Sequence, residues 1–148
     1  MMNFELRQIG IIHSPYNTKE EIPIQAYRSD ELGEIEIFKE YENGLKDIEG
    51  FSHIIIVYIF HKSEEYSLQV SPYLDTDLRG LFATRHPNRP NPIGISTVRL
   101  LSRKGNILKI KGMDVLDGTP LIDIKPYVPR FDDRGEVRYG WLEEKLRK

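Results

Sequence analysis

The sequence predicts a mainly β protein, a small closed antiparallel β-barrel with a few short helices. Three observations lead there. Apolar segments are short and bounded by turn residues, several alternate with polar residues, and few windows carry a helical period. Six or seven short strands with so little helix suit a small antiparallel barrel. At 148 residues the chain suits one domain with one core, read as a single barrel over 1–148. Residues 132–148 form a C-terminal tail that carries a short docked helix.

The predicted strands run in order. Residues 6–12 are the first. Ile35, Ile37 and Phe38, with Glu34 and Glu36 between and before them, read as a strand with one wet face. Residues 51–61 are the most apolar run and read as a strand buried on both faces. Residues 80–84, 95–102, 107–115 and 121–127 follow. The turn Arg103-Lys104-Gly105-Asn106 joins 95–102 to 107–115 as a hairpin. Tyr41, Leu45 and Ile48 lie at helical spacing over 39–48, with Gly50 near a C-cap and Gly44 weakening the element. Trp141, Leu142 and Leu146 stand among charges in the tail, as for a short helix docked by one face.

Composition narrows the function. With no cysteine, disulfides, thiolate catalysis, iron–sulfur clusters and cysteine zinc sites are excluded, which fits a reducing interior. The N-terminus lacks the apolar stretch of a secretory signal. The longest apolar run, residues 54–60, is too short to span a bilayer. A cytoplasmic protein with no membrane association is expected. The four histidines (His13, His53, His61, His86) show no metal-ligand spacing, and no metal is expected. Dinucleotide, P-loop, zincin and nucleophile-elbow motifs are all absent. So is the βα alternation of a Rossmann-type methyltransferase.

Net charge is −2, yet the charge is uneven. From Arg79 to Met113 there is no Asp or Glu, while Arg79, Arg85, Arg89, Arg99, Arg103, Lys104, Lys109 and Lys111 all fall there. An acid-free block of this length reads as an electrostatic footprint for phosphate. Inside it lies Ala83-Thr84-Arg85-His86-Pro87-Asn88-Arg89-Pro90-Asn91-Pro92-Ile93-Gly94. Three prolines in six residues stiffen the backbone and bias each preceding residue toward extended conformations. Cations and amides stand between them, which suits rigid presentation of polar groups rather than a passive connector.

The stretch from Gly80 to Arg85, continued by Arg89-Pro90-Asn91-Pro92-Ile93-Gly94-Ile95-Ser96, resembles the signature of the TsaA-like, or TrmO, family. Further matches follow the chain order: Ile9-Gly10 to Ser14-Pro15-Tyr16, Gly44-Leu45 to Gly50-Phe51-Ser52-His53, and Asp117-Gly118-Thr119-Pro120 with Asp123-Ile124-Lys125-Pro126-Tyr127. The resemblance covers roughly residues 6–131. It implies a β-barrel that binds S-adenosylmethionine, as a homodimer with the site near the subunit interface. It implies methylation of N6 of threonylcarbamoyladenosine beside the tRNA anticodon, with tRNA as partner. Carried over by position, cofactor contacts are Pro23, Ile24, Gln25, His61, Lys62, Arg85, Ile95, Leu116, Asp117, Gly118 and Thr119. Ile24 departs from the Arg that bacterial members tend to hold there, and the C-terminal domain of many bacterial members has no counterpart.

These residues fit the chemistry. Lys62 or Arg85 suits the cofactor carboxylate, and Asp117 suits its ammonium or ribose, with Gly118 admitting close backbone approach. Asn88, Arg89 and Asn91 are the substrate-binding candidates. The acceptor nitrogen is urea-like and weakly nucleophilic, so a base is expected, with His86, Asp117 and Tyr127 as candidates. Three alternatives stand beside this reading: a module that binds S-adenosylmethionine or RNA without catalysis, a methyltransferase with another acceptor, and a purely structural barrel.

Overall fold

The computed structural model describes residues 1–22, 30–72 and 75–146. Among them the strands are β1 (Gly10–His13), β2 (Leu32–Ile37), β3 (His53–Ile59), β4 (Gln69–Val70), β5 (Arg79–Gly80), β6 (Ile93–Lys104), β7 (Ile107–Lys111) and β8 (Thr119–Pro126). Six of these close a barrel in the order β1-β2-β7-β6-β3-β8, every pairing antiparallel. The mainly β, closed-barrel expectation holds. The β6–β7 hairpin turns at Gly105, which takes the left-handed φ of 61° such a tight turn needs.

Alternation explains closure. Along β6, Gly94, Ser96, Val98 and Leu100 point inward and the residues between them are exposed, so one parity fills the barrel. Ile12, Ile35, Ile37, Ile54, Ile56, Leu108, Ile110 and Leu121 are each 0–1% exposed and form the centre of the core. Burying a side chain of this size is worth about 1.5–3 kcal/mol, so the interior is the main source of stability. β3 corrects the reading of a strand buried on both faces. Its pattern alternates, with Ile54, Ile56 and Tyr58 buried and Ile55, Val57 and Ile59 only half-buried, because a barrel offers one interior.

Other elements differ from expectation too, and β1 starts only at Gly10 where a strand over 6–12 was expected. The helix read over 39–48 is two 3-10 pieces, Lys39–Leu45 and Ile48–Gly50. Asp47, in the left-handed region at φ 73°, separates them and interrupts any α-helical ladder. The apolar period was still informative, since Leu45 is buried and Tyr41 and Ile48 pack on the core. Residues 80–84 are not a strand. A 3-10 turn, Leu81–Ala83, follows the two-residue β5, and the Thr84 hydroxyl closes it on the Leu81 carbonyl at 2.8 Å. β7 ends at Lys111 rather than running to 115.

The chain divides into two compact units, Met1–His61 with Ile93–Tyr127, and Lys62–Pro92 with Val128–Lys148. The first is the barrel. The second holds the β4–β5 pair, α1 (Pro129–Asp132) and α2 (Leu142–Lys145). Within it the tail is docked: Trp141 Nε1 donates to the Ala83 carbonyl at 2.9 Å, and the Arg79 guanidinium lies 5.4 Å from the Trp141 ring centre. Arg79 also binds Asp75, whose side chain is almost wholly covered and lies 3.8 Å from Lys145 Nζ. Among the described residues of the tail, α2 is a short helix of four residues.

Antiparallel pairing sorts the barrel's loops between its two ends. His13 at the end of β1, Leu32 starting β2, Ile59 ending β3, Ile93 starting β6, Lys111 ending β7 and Thr119 starting β8 share one end. The tight hairpin, the 3-10 pieces and Tyr127 belong to the other.

Candidate functional site

The end of the barrel that carries His13 and Thr119 gathers most of the barrel residues singled out in the sequence. His61 follows β3, Ile95 lies near the start of β6, and Leu116, Asp117, Gly118 and Thr119 lead into β8. The loop 114–119 is pinned to the turn after β1 by a set of short bonds. Asp117 N donates to the Tyr16 carbonyl at 2.7 Å and Gly118 N to the Ile12 carbonyl at 2.9 Å. Ser14 Oγ donates to the Val115 carbonyl at 2.6 Å, and Ser14 N donates to Asp117 Oδ1 at 3.0 Å. Thr119, itself buried, closes the loop by donating from Oγ1 to the Leu116 carbonyl at 2.6 Å. Gly118 sits at φ 83°, a conformation glycine adopts without penalty. Two motifs a hundred residues apart thus form one rigid corner.

That corner leaves a carboxylate half in water. Asp117 is 45% exposed, and Oδ2 makes no hydrogen bond among the described residues. His13 stands beside it, Nδ1 at 3.8 Å from Asp117 Oδ1 and Nε2 at 3.1 Å from Glu36 Oε1. His13 and Glu36 were not singled out from the sequence as site residues, although His13 precedes the Ser14-Pro15-Tyr16 motif directly. A second missed feature lies inside the barrel. Ser96 Oγ donates its one proton to Asp114 Oδ1 at 2.7 Å, so the Tyr58 hydroxyl, 2.8 Å away, is the donor to Ser96. This chain ties β3 and β6 to the root of the Asp117 loop.

The proline-rich loop belongs to the second unit and braces itself. Arg89 Nη1 donates to the carbonyls of Thr84 at 2.9 Å and His86 at 3.0 Å. His86 Nδ1 accepts from Asn88 N at 3.1 Å, and Asn88 Oδ1 accepts from Glu64 N at 2.8 Å. His86, Asn88 and Arg89 therefore hold the loop in shape with their own side chains. Arg85 and Asn91 are exposed, and Arg85 makes no hydrogen bond or ion pair among the described residues. Lys62, also exposed, lies in this unit too.

Several candidates lie apart. Tyr127 is at the far end of the barrel, eight residues beyond Thr119 along β8, or roughly 25 Å at strand rise. Its ring packs edge-on against His53, centroids 6.3 Å apart. Pro23, Ile24 and Gln25 lie outside the described residues. The acid-free block is also less free than its count suggests. Arg79 is paired with Asp75, Arg103 with Glu49, and Lys111 lies 3.8 Å from Asp30. The Arg103 guanidinium holds the Glu49 carboxyl below its ordinary range. Arg85, Arg99, Lys104 and Lys109 are the exposed cations without such partners among the described residues. No cluster of three or more potential metal ligands occurs among the described residues, and no described helix is long and apolar enough to cross a membrane.

Residues 11–133 match the tRNA-methyltransferase O N-terminal domain. A probable S-adenosyl-L-methionine-binding protein of Pyrococcus abyssi is 57% identical over 143 residues, 96% of this chain and 78% of the relative. The tRNA (adenine(37)-N6)-methyltransferase of Escherichia coli is 39% identical over 140 residues, 87% of this chain and 60% of that protein. The crystal structure of TrmO from Pseudomonas aeruginosa superposes with a TM-score of 0.80 at 36% identity, covering 94% of this chain. This chain spans 62% of that one, less than two thirds of its length.

Proposed function

Because the chain belongs to the TsaA-like, or TrmO, family, we propose that it is an S-adenosylmethionine-dependent methyltransferase acting on N6 of threonylcarbamoyladenosine beside the tRNA anticodon. The single observation that carries this reading is the convergence of His61, Ile95 and the pinned loop 116–119 at one end of the barrel. The donor set there fits the cofactor. Gly118 offers backbone with open space around it and Ile95 offers an exposed apolar side chain for the adenine, while the half-exposed carboxylate of Asp117 is left to face the acceptor. Lys62 and Arg85 are the cations assigned to the cofactor carboxylate.

When bound, the cofactor supplies a methyl group activated by its sulfonium. The protein's task is to hold the acceptor nitrogen in line and to receive the proton it loses. Asp117 is the base this reading favours. Its Oδ2 is accessible, while Oδ1 is held by Ser14 N. His86 is poorly arranged for the role, since the Nδ1 lone pair is occupied by the Asn88 N–H and Nε2 then carries the proton. Tyr127 is assigned no role at this end of the barrel.

Incubation with methyl-labelled S-adenosylmethionine and threonylcarbamoylated tRNA tests the reading. Label transferred to N6 of the modified adenosine is expected. A chain that binds the cofactor and transfers nothing would be a binding module, and label on another acceptor would make it a methyltransferase of different specificity. Absence of any thermal shift with the cofactor would remove both, since a ligand that binds only the folded state must stabilise it. Asp117→Asn is expected to lower kcat by about 10²–10⁴-fold.

A further inference from the structure

Phe82 stands out in the second unit as a large aromatic ring that is 75% exposed, next to Leu81, which is 1% exposed. The 3-10 turn Leu81–Ala83 sets this contrast: Leu81 anchors the turn and the next side chain points to water. The backbone on both sides is fixed. Leu81 N donates to the Leu68 carbonyl at 2.8 Å and Thr84 N to the Leu81 carbonyl at 3.1 Å. The Ala83 carbonyl accepts from Trp141 Nε1 at 2.9 Å. A loosely held surface phenylalanine would have no need of such support.

The ring also has a chosen neighbour. The Arg89 guanidinium carbon lies 5.9 Å from the Phe82 ring centre, within cation–π range. Arg89 is held there by its two bonds to the Thr84 and His86 carbonyls. In the same segment Arg85 and Asn91 are exposed, and no acid occurs along the chain from Arg79 to Met113. A fixed exposed ring beside an arginine, with a further exposed arginine and amide in the same segment, is the composition that binds an unstacked base while cations take its phosphates. The open pocket at Trp141 in the same unit differs, its lining mixing Asp77, Glu143 and Glu144 with Arg79 and Lys145.

We propose that Phe82 is a stacking platform for an unpaired base of the tRNA anticodon loop, backed by Arg89. This deepens the tRNA reading and rests on it. The ring serves the RNA alone, so cofactor affinity is independent of it. Stacking of one base corresponds to about a tenfold to hundredfold change in affinity on truncation.

The test has two readouts. A 17-nucleotide anticodon stem-loop carrying 2-aminopurine in the loop reports stacking by fluorescence quenching, whether or not methyl transfer occurs. Wild type is expected to quench it; Phe82→Ala and Phe82→Leu are expected to weaken binding about tenfold to a hundredfold, and Phe82→Tyr to restore it. In turnover with threonylcarbamoylated tRNA, the same two variants raise KM for tRNA while the Kd for S-adenosylmethionine stays unchanged. Wild-type protein that binds the stem-loop without quenching, or not at all, overturns the proposal. So does a Phe82→Leu variant that binds like wild type, because an apolar contact would then suffice. Quenching without methyl transfer upholds the platform and overturns the enzymatic reading instead.

Discussion

Replacing Gly94 by alanine places a methyl group where the barrel has no room for one. A Cβ built on Gly94 meets Phe60 Cζ and Tyr58 Cζ at 2.7 Å each. Carbon atoms pack at about 3.5–4.0 Å, so the rings must retreat by roughly 1 Å. Tyr58 is badly placed to do so: it is 3% exposed, bonded to Ser96 at 2.8 Å and packed edge-on to Phe60 with centroids 5.4 Å apart. Overpacking of this kind costs about 1–3 kcal/mol. At this chain length each kcal/mol moves Tm by about 3–4 °C, so a drop of about 3–12 °C is expected. Gly44→Ala is the matched control, since nothing lies within 4 Å of its added methyl and its φ is not in the left-handed region. It should leave Tm unchanged or slightly raised. Differential scanning calorimetry of both variants decides. A Gly94→Ala protein that melts with wild type would refute the claim that this motif glycine exists for the close approach of two aromatic rings.

Three further outcomes follow from the same geometry. Ser96→Ala removes both bonds of the Tyr58–Ser96–Asp114 chain, which is expected to cost about 2 kcal/mol in urea unfolding and to weaken S-adenosylmethionine binding by loosening the root of the Asp117 loop; unchanged cofactor affinity would separate the chain from the site. Asp75→Asn acts through charge. A hydrogen bond from the Asp77 backbone, and after it Arg79, hold the Asp75 carboxyl below its ordinary range, so its contribution is present at neutral pH and is lost as pH falls through the depressed folded value. The stability gap between wild type and this variant should therefore be largest near pH 7 and close below about pH 3.9, and a gap that persists in acid would show that charge is not its origin. Arg85→Ala should reduce affinity for S-adenosylmethionine by about tenfold or more without changing Tm, as measured by calorimetric titration; undiminished affinity would leave Lys62 as the carboxylate partner.

The barrel was legible because its signal is local. Period-two alternation in β2, β6 and β7 marks inward and outward faces without reference to the rest of the chain. The same signal misled at β3, where Ile55, Val57 and Ile59 are as apolar as the inward residues yet only half-buried. Hydrophobicity on both parities reads as double burial, and only the closed topology shows that one parity faces out. The errors at 39–48 and 80–84 have another source. An Asp in the left-handed region and a Thr hydroxyl bonded back to the chain decided those segments, and neither outweighs neighbouring apolar residues in a sequence pattern.

The candidate site was legible only in pieces, because what assembles it is long-range. The Asp117-Gly118 dipeptide looks like any turn, and Ile9-Gly10 to Tyr16 looks like a strand with a proline after it. Ser14 and Asp117 are 103 residues apart, yet one hydrogen bond at 3.0 Å and the backbone bonds beside it make them a single corner. Ser96 and Asp114 are joined the same way across 18 residues, and His13 reaches Glu36 across 23. No local period announces such pairs. The proline-rich loop shows the converse. Its polar residues were visible at once, but their number suggested that all were offered to a ligand. Arg89, His86 and Asn88 instead satisfy carbonyls and amides of their own unit. An extended, proline-rich segment cannot pair its backbone in a ladder, so side chains must supply the missing partners. Bracing and exposure thus divide between neighbours: His86, Asn88 and Arg89 hold the loop, while Arg85 and Asn91 stay exposed.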